Sequence, residues 1–379
     1  MRLLLVTQDF PPDVGGIQTW AHELAARFHE SCDHFGVVAP KKPGAVAIDR
    51  DVPYPVHRVA GSSNTMPVLA TGTILSATRT FFYDTVLHAQ WQTMTASVTA
   101  SKLGGPKRIF LAAHGRELLL RPLSRSPKAQ KAYDLLRRRM VGRADHIFPV
   151  SRYTAGLLGE LGVDEDRMSV VGNGTDPKRF VPMDVSAARA SLGLEQARVI
   201  LTVGRLTPRK GIDTVIRALP SVIERVPNAV YMVVGEGEDR SRLEELARET
   251  GVSDHVLFEG TVPFSQLPST YNLCDVFVTP SRSAPPSVEG FGIVFLEANA
   301  CGKPVIGARS GGIPDAIVDG ETGLLVEPDD EPALAEALIS LLSDPARCQA
   351  LGAAGRDRVE RAFTWDVAHD HLFQAMSES

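Results

Sequence analysis

Features that would mark a secreted, membrane-spanning or metal-built protein are scarce in this chain. Only four cysteines, Cys32, Cys274, Cys301 and Cys348, occur in 379 residues, and none stands in a Cys-x-x-Cys pair or beside a histidine-rich cluster. That scatter argues against a disulfide framework and a structural zinc site, and it fits a reducing, cytoplasmic setting. No uninterrupted apolar run approaches the roughly 18 residues that a bilayer crossing requires. Residues 3–6 are apolar, but Gln8 and Asp9 follow at once, so the start lacks the core of a signal peptide. Any membrane contact is therefore expected to be peripheral, at the inner face of a membrane. Positive charge is not in excess either, and the net charge of −5 argues against nucleic acid as a partner.

That average hides an uneven distribution. Residues 101–152 hold 13 Lys and Arg against three Asp and Glu, a local balance of +10, which leaves −15 for the rest. The run includes Arg121, Arg125, Lys128, Lys131, Arg137, Arg138, Arg139 and Arg143. Such a segment can attract an anionic membrane surface or an anionic acceptor. A solvated helix face produces the same composition.

A chain of 379 residues, 44% hydrophobic and 22% charged, is long enough for two globular domains with separate cores. Short β-like runs alternate with helical patterns throughout, the mark of α/β domains with parallel sheets covered on both faces. Strand candidates in the first half are residues 3–7, 35–39, 85–88, 109–113, 146–150 and 169–171. In the second half they are 199–203, 231–234, 256–259, 276–279, 304–307 and 323–326. Six strands per half imply two doubly wound, Rossmann-like domains, whose ligands bind at the carboxyl ends of strands. The polar, proline-bearing stretch 177–186 suggests the division. Domains of 1–182 and 183–362 are expected.

The most informative segment is Val288-Glu289-Gly290-Phe291-Gly292-Ile293-Val294-Phe295-Leu296-Glu297. If Ile293 opens a helix, Gly292 lies at an N-terminus whose free N–H groups suit a phosphate. Helical rise then separates Glu289 from Glu297 by about 12 Å. That is roughly the reach from the sugar to the ribose of a nucleotide-diphosphate sugar. After the first strand, Gly15-Gly16 precedes a helix expected from about Thr19 and permits close backbone approach. After strand 199–203 comes Gly204-Arg205-Leu206-Thr207-Pro208-Arg209-Lys210-Gly211, in which Arg205 and Lys210 are the expected reaching cations. Arg clamps phosphate with two donors, and Lys supplies a mobile point charge. A departing nucleoside diphosphate needs such neutralisation. His114-Gly115 also follows a strand.

Together these motifs resemble the retaining glycosyltransferases of family 4, over nearly the whole chain. Beyond those above, Val234-Gly235-Glu236-Gly237, Ala300-Cys301-Gly302-Lys303-Pro304-Val305, Ser310-Gly311-Gly312-Ile313-Pro314-Asp315 and Asp319-Gly320-Glu321-Thr322-Gly323 carry the resemblance. Within the family the wording at 288–297 is similar to the phosphatidylinositol mannosyltransferase-like branch. The resemblance implies the GT-B fold, two Rossmann-like domains facing each other across a deep cleft, with an N-terminal acceptor-binding and a C-terminal donor-binding domain. It also implies that a terminal helix, 363–379, crosses back onto the first domain. By resemblance, Gly15, Gly16, Gly204, Arg205 and Lys210 serve the donor diphosphate, and Glu297 holds the ribose hydroxyls. Glu289 and His114 hold the transferred sugar, backbone at Phe291, Gly292, Ile293 and Val294 meets phosphate or sugar, and Val262 belongs to the base-facing loop.

No resident cofactor and no metal are expected. Asp49-Arg50-Asp51 and Asp164-Glu165-Asp166 spell Asp-x-Asp, but neither is flanked by further oxygen ligands in sequence. Gly235-Glu236-Gly237 lacks the third glycine of a dinucleotide fingerprint. The branch implies GDP-mannose as donor and a lipid, sugar or sugar-phosphate acceptor. Loop 261–266 holds no carboxylate for guanine's edge, so UDP-glucose and UDP-N-acetylglucosamine stay open. A non-catalytic nucleotide-sugar-binding protein is the reading from a different class.

Overall fold

The computed structural model of the chain describes residues 1–61, 65–122 and 126–378. Its strands in chain order are β1 (Arg2–Val6), β2 (His34–Pro40), β3 (Val56–Val59), β4 (Thr85–His88), β5 (Arg108–Ala113) and β6 (His146–Pro149). They continue as β7 (Arg198–Val203), β8 (Ala229–Val234), β9 (Val256–Gly260), β10 (Val276–Thr279), β11 (Val305–Ala308) and β12 (Gly323–Val326). One sheet runs β3-β2-β1-β4-β5-β6 and the other β12-β11-β10-β7-β8-β9, which is the same winding read from opposite ends. Pairing is parallel, for example Leu4 opposite Gly36 on one side and Val86 on the other. Leu3, Leu4, Leu5 and Val6 are all fully buried, as are Val199, Ile200 and Leu201. Strands covered on both faces read as continuous apolar runs, which is why these were legible.

Two elements of the first sheet differ from expectation. Residues 169–171 form no strand; Ser169 and Val171 donate to the Ile147 and Pro149 carbonyls beside β6, but Val170 is exposed. The sixth strand is β3, in which only Val59 is buried, so its sequence lacks the apolar run that marks the others.

The chain divides into two compact units, Met1–Asn173 with Trp365–Ser379, and Gly174–Thr364. Residues 174–182 pack with the second unit rather than the first. The Thr175 N–H donates to the Phe363 carbonyl, and Phe180 meets Tyr271 edge-on at 5.8 Å. Within the first unit the Trp365–Glu378 helix lies against the Gly16–Ser31 helix. Its Trp365, Leu372 and Met376 are buried, and its His369 ring sits 5.0 Å from Phe28.

In each sheet the winding reverses between two central strands, β1 and β4 in one, β7 and β10 in the other. Loops leaving the carboxyl ends of such a pair diverge and leave a crevice for a ligand.

Candidate active site

In the second unit the reversal brings the loop after β7 against the segment after β10. Lys210 folds back beside Gly204, where a Cβ would sit 3.5 Å from the Lys210 Cε. Its Nζ donates to Glu289 Oε2 at 2.7 Å, and Arg209 Nη1 donates to the same oxygen at 2.7 Å. The backbone is tied as well, since the Arg282 N–H donates to the Arg209 carbonyl at 2.9 Å. Burial alone would raise the Glu289 pKa, but the charges and hydrogen bonds of Lys210 and Arg209 outweigh it and hold the carboxyl at about 2. Burial, with Arg209 and Arg205 nearby, pulls Lys210 below the ordinary lysine range, while Glu289 opposes that pull. Arg205 itself is exposed and has no ion pair among the described residues. Of the two expected cations, then, one is exposed at the surface and one is buried on a carboxylate.

The Glu289 backbone is clasped by the Gly311-Gly312 turn. Gly312 donates its N–H to the Glu289 carbonyl at 2.9 Å. Gly311 has a φ of +55°, and a Cβ there would lie 2.3 Å from that same carbonyl oxygen. Only glycine admits this approach. Phe291 is buried 5.8 Å from Phe363, and Gly292, at a φ of +99°, opens the Ile293–Ala300 helix. That helix is apolar and largely buried, with half-buried Ile293 and Val294 in its first turn. First-turn N–H groups have no partner inside a helix and favour anions. One turn further on, Glu297 accepts from the Tyr271 hydroxyl at 2.5 Å. Burial raises its pKa to about 7, against the effect of that bond. Val262 is half-buried in the loop after β9.

The first unit carries its own polar cluster at the ends of β1, β4 and β5. Asp9 accepts from Gln18 Nε2 and Gln90 Nε2, each at 2.9 Å, and Gln18 lies in the helix that begins at Gly16. Gly15 precedes that helix in extended backbone, and Gly16 is exposed. His114 is buried with its ring 4.9 Å from that of Trp20 in the same helix. Burial pushes its pKa down to about 3, so the imidazole is neutral near pH 7. Its Nε2 has no hydrogen-bond partner among the described residues. The His114 N–H donates to Glu117 Oε1 at 2.7 Å, and burial raises the Glu117 pKa to about 7.

Thus Gly204, Lys210 and Glu289 meet in the second unit, close in sequence to the helix that carries Ile293, Val294 and Glu297. Gly15, Gly16 and His114 gather around the Gly16–Ser31 helix of the first. Sequence reasoning missed Arg209, Tyr271, Asp9, Gln18, Gln90 and Glu117. Arg209 had a signal, its adjacency to Lys210, and Glu117 had one in lying three residues after His114; Gln90 and Tyr271 meet partners far away in sequence. Asp49 of the first Asp-x-Asp lies in the Ala45–Asp51 helix and accepts from the Arg58 guanidinium at 2.7 Å.

Residues 14–179 match the family described as Glycosyltransferase Family 4, and residues 184–358 match Glycosyl transferases group 1. The chain is 34% identical to a GDP-mannose-dependent alpha-(1-6)-phosphatidylinositol monomannoside mannosyltransferase of Mycolicibacterium smegmatis, over 99% of this chain and 98% of that protein. It is 36% identical to the Mycobacterium tuberculosis protein of the same name, over 97% of this chain and 95% of that one. Among solved structures, Anabaena Alr3699/HepE in complex with UDP superimposes with a TM-score of 0.85 at 20% identity, covering all of both chains. The likeness extends over both sheets, and the fold is the GT-B fold. The chain belongs to glycosyltransferase family 4.

Proposed function

We propose that this glycosyltransferase moves mannose from GDP-mannose to an anionic lipid acceptor, with retention at the anomeric carbon. The observation that carries the reading is the Lys210–Glu289–Arg209 contact, set just ahead of the first turn of the Ile293–Ala300 helix, which no side chain caps. It offers mobile positive charge and a fixed carboxylate in one place, as a sugar diphosphate requires. The names of the full-length relatives support GDP-mannose and a phosphatidylinositol monomannoside as the acceptor class. The bond from the anomeric carbon to the β-phosphate oxygen breaks as the acceptor hydroxyl oxygen bonds to the same face. The acceptor proton passes to that β-phosphate oxygen. Arg205 and Lys210 neutralise the departing diphosphate, a task that in this reading needs no metal. Glu289 and the neutral imidazole of His114 position the sugar hydroxyls, and Gly15, Gly16, Gly204, Val262, Phe291, Gly292 and Glu297 serve as donor contacts.

The acceptor reading has its own support. In the Pro127–Val141 helix Leu135 is 68% exposed and Leu136 41%, between exposed Lys128, Lys131, Arg138 and Arg139. This suits a helix lying on an anionic membrane surface. No helix among the described residues is long and apolar enough to cross a membrane. Arg125 of the basic run lies outside the described residues.

A UDP-hexose is the second reading, favoured by the lack of a carboxylate in loop 261–266. Thermal melting with GDP, UDP and ADP separates the two, because a ligand at 100 times its Kd adds about 2.7 kcal/mol of stability. A larger shift with GDP, then GDP release and an α-linked product from GDP-mannose and the lipid, is the expected result. Preference for UDP overturns the donor, a β-linked product overturns retention, and no nucleoside diphosphate release from any donor favours a binding protein.

A further inference from the structure

Glu289 is held unevenly. Its Oε2 accepts from both Lys210 and Arg209 at 2.7 Å, while Oε1 has no partner among the described residues. The three side chains are only 17%, 10% and 14% exposed. In the reading proposed above, on which this inference rests, Lys210 turns to the donor diphosphate while Glu289 receives a sugar hydroxyl. The lysine's charge is then drawn away from Glu289 by a more highly charged anion. If Lys210 were the only compensating charge, its departure would leave a largely buried carboxylate unpaired, and such a group takes up a proton or moves toward water.

Arg209 is built to stay. Its carbonyl is pinned by the Arg282 N–H, and the following turn at Gly211 is closed against the Pro280 carbonyl, 2.3 Å from where a Cβ would stand. A guanidinium also keeps its charge at any working pH and fixes direction through a planar fork. The charged groups around Glu289 are Arg209 and Lys210, with Arg205 adding to the field at Lys210. From the Gly311-Gly312 side backbone approaches.

We propose that Arg209 is a positioning residue that keeps Glu289 ionised, with Oε1 turned to the sugar, once Lys210 leaves it for the diphosphate. Arg209 touches neither diphosphate nor sugar in this role and acts through Glu289.

Arg209→Gln in the full chain is expected to lower kcat at least tenfold with less than a threefold change in donor KM. The acid limb of its kcat–pH profile moves up by one pH unit or more, because Glu289 then protonates more readily. A merely structural arginine would lower the melting temperature without moving that limb. Wild-type kcat and an unmoved limb in Arg209→Gln, alongside an inactive Lys210→Ala, overturn the inference and leave the transferase reading standing. A wild-type protein that transfers no sugar overturns both.

Should Arg209→Gln fail to fold, Lys210→Met supplies the second measurement, because it imitates the state in which Lys210 has left. With carbon-13 glutamate, and Glu289→Gln for assignment, the Glu289 carboxyl of Lys210→Met should titrate below the ordinary glutamate range. Titration at or above that range overturns the inference.

Discussion

The Tyr271 hydroxyl lies 2.5 Å from Glu297 Oε2, and both side chains are buried. Burial raises Glu297 from the ordinary 4.5 to about 7. Between those pH values the folded protein keeps a proton that the unfolded chain has released. The group's contribution to stability is therefore full below pH 4.5 and fades as pH rises through 7. The melting-temperature difference between wild type and Glu297→Gln should accordingly favour wild type more at pH 5 than at pH 8. A ribose diol donates to an ionised carboxylate, so GDP should bind wild type more tightly at pH 8 than at pH 6. Calorimetric titration of both proteins checks this, and a wild-type affinity as flat with pH as that of Glu297→Gln would remove Glu297 from the ribose.

Gly311→Ala tests the clasp on Glu289. Its Cβ would meet the Glu289 carbonyl at 2.3 Å, and its φ of +55° disfavours any side chain. A loss of about 1–3 kcal/mol in stability is expected from the backbone strain, and at least a tenfold loss in turnover from displacement of the carboxylate. Gly320→Ala is the control. Its φ is +78°, but nothing lies within 4 Å of the added carbon. It should lose stability and keep the turnover of its folded fraction, as denaturant melts and steady-state rates would show.

The exposed face of the Pro127–Val141 helix makes a third prediction. Each Lys or Arg near an anionic surface contributes about 1 kcal/mol. Lys131→Glu/Arg139→Glu should therefore weaken binding to vesicles containing phosphatidylinositol by more than tenfold, and Leu135→Ser should weaken it further. Turnover on a water-soluble acceptor analogue should be unchanged. Flotation assays at two salt concentrations check the set; equal binding by all variants would mean that this face is not used.

Much of this architecture was legible because parallel sheets buried on both faces write themselves as unbroken apolar runs. Where burial is partial the signal fails. Val56–Val59 sits at a sheet edge with one buried residue and went unseen, while residues 169–171 looked like a strand and only run beside one. The helix start at Ile293 could be read from Gly292, and the one expected near Thr19 falls at Gly16, a turn earlier. Side-chain partnership could not. Lys210 reads as a solvent-reaching cation until its partner 79 residues away is known, and Asp9 reaches its amide across 81. Local sequence carries propensity and spacing, whereas those pairings are made by the winding of the sheets.

The Trp365–Glu378 helix completes the core of the unit that the chain begins, with Leu372 and Met376 fully enclosed there. During synthesis, residues 1–173 leave the ribosome before 174–364, and the Trp365–Glu378 helix follows only after both. The unit built on residues 1–173 is thus completed only after the whole of 174–364 has been made, and until then the Gly16–Ser31 helix lacks its partner. A stop just before Trp365 would harm the unit of residues 1–173 more than that of 174–364.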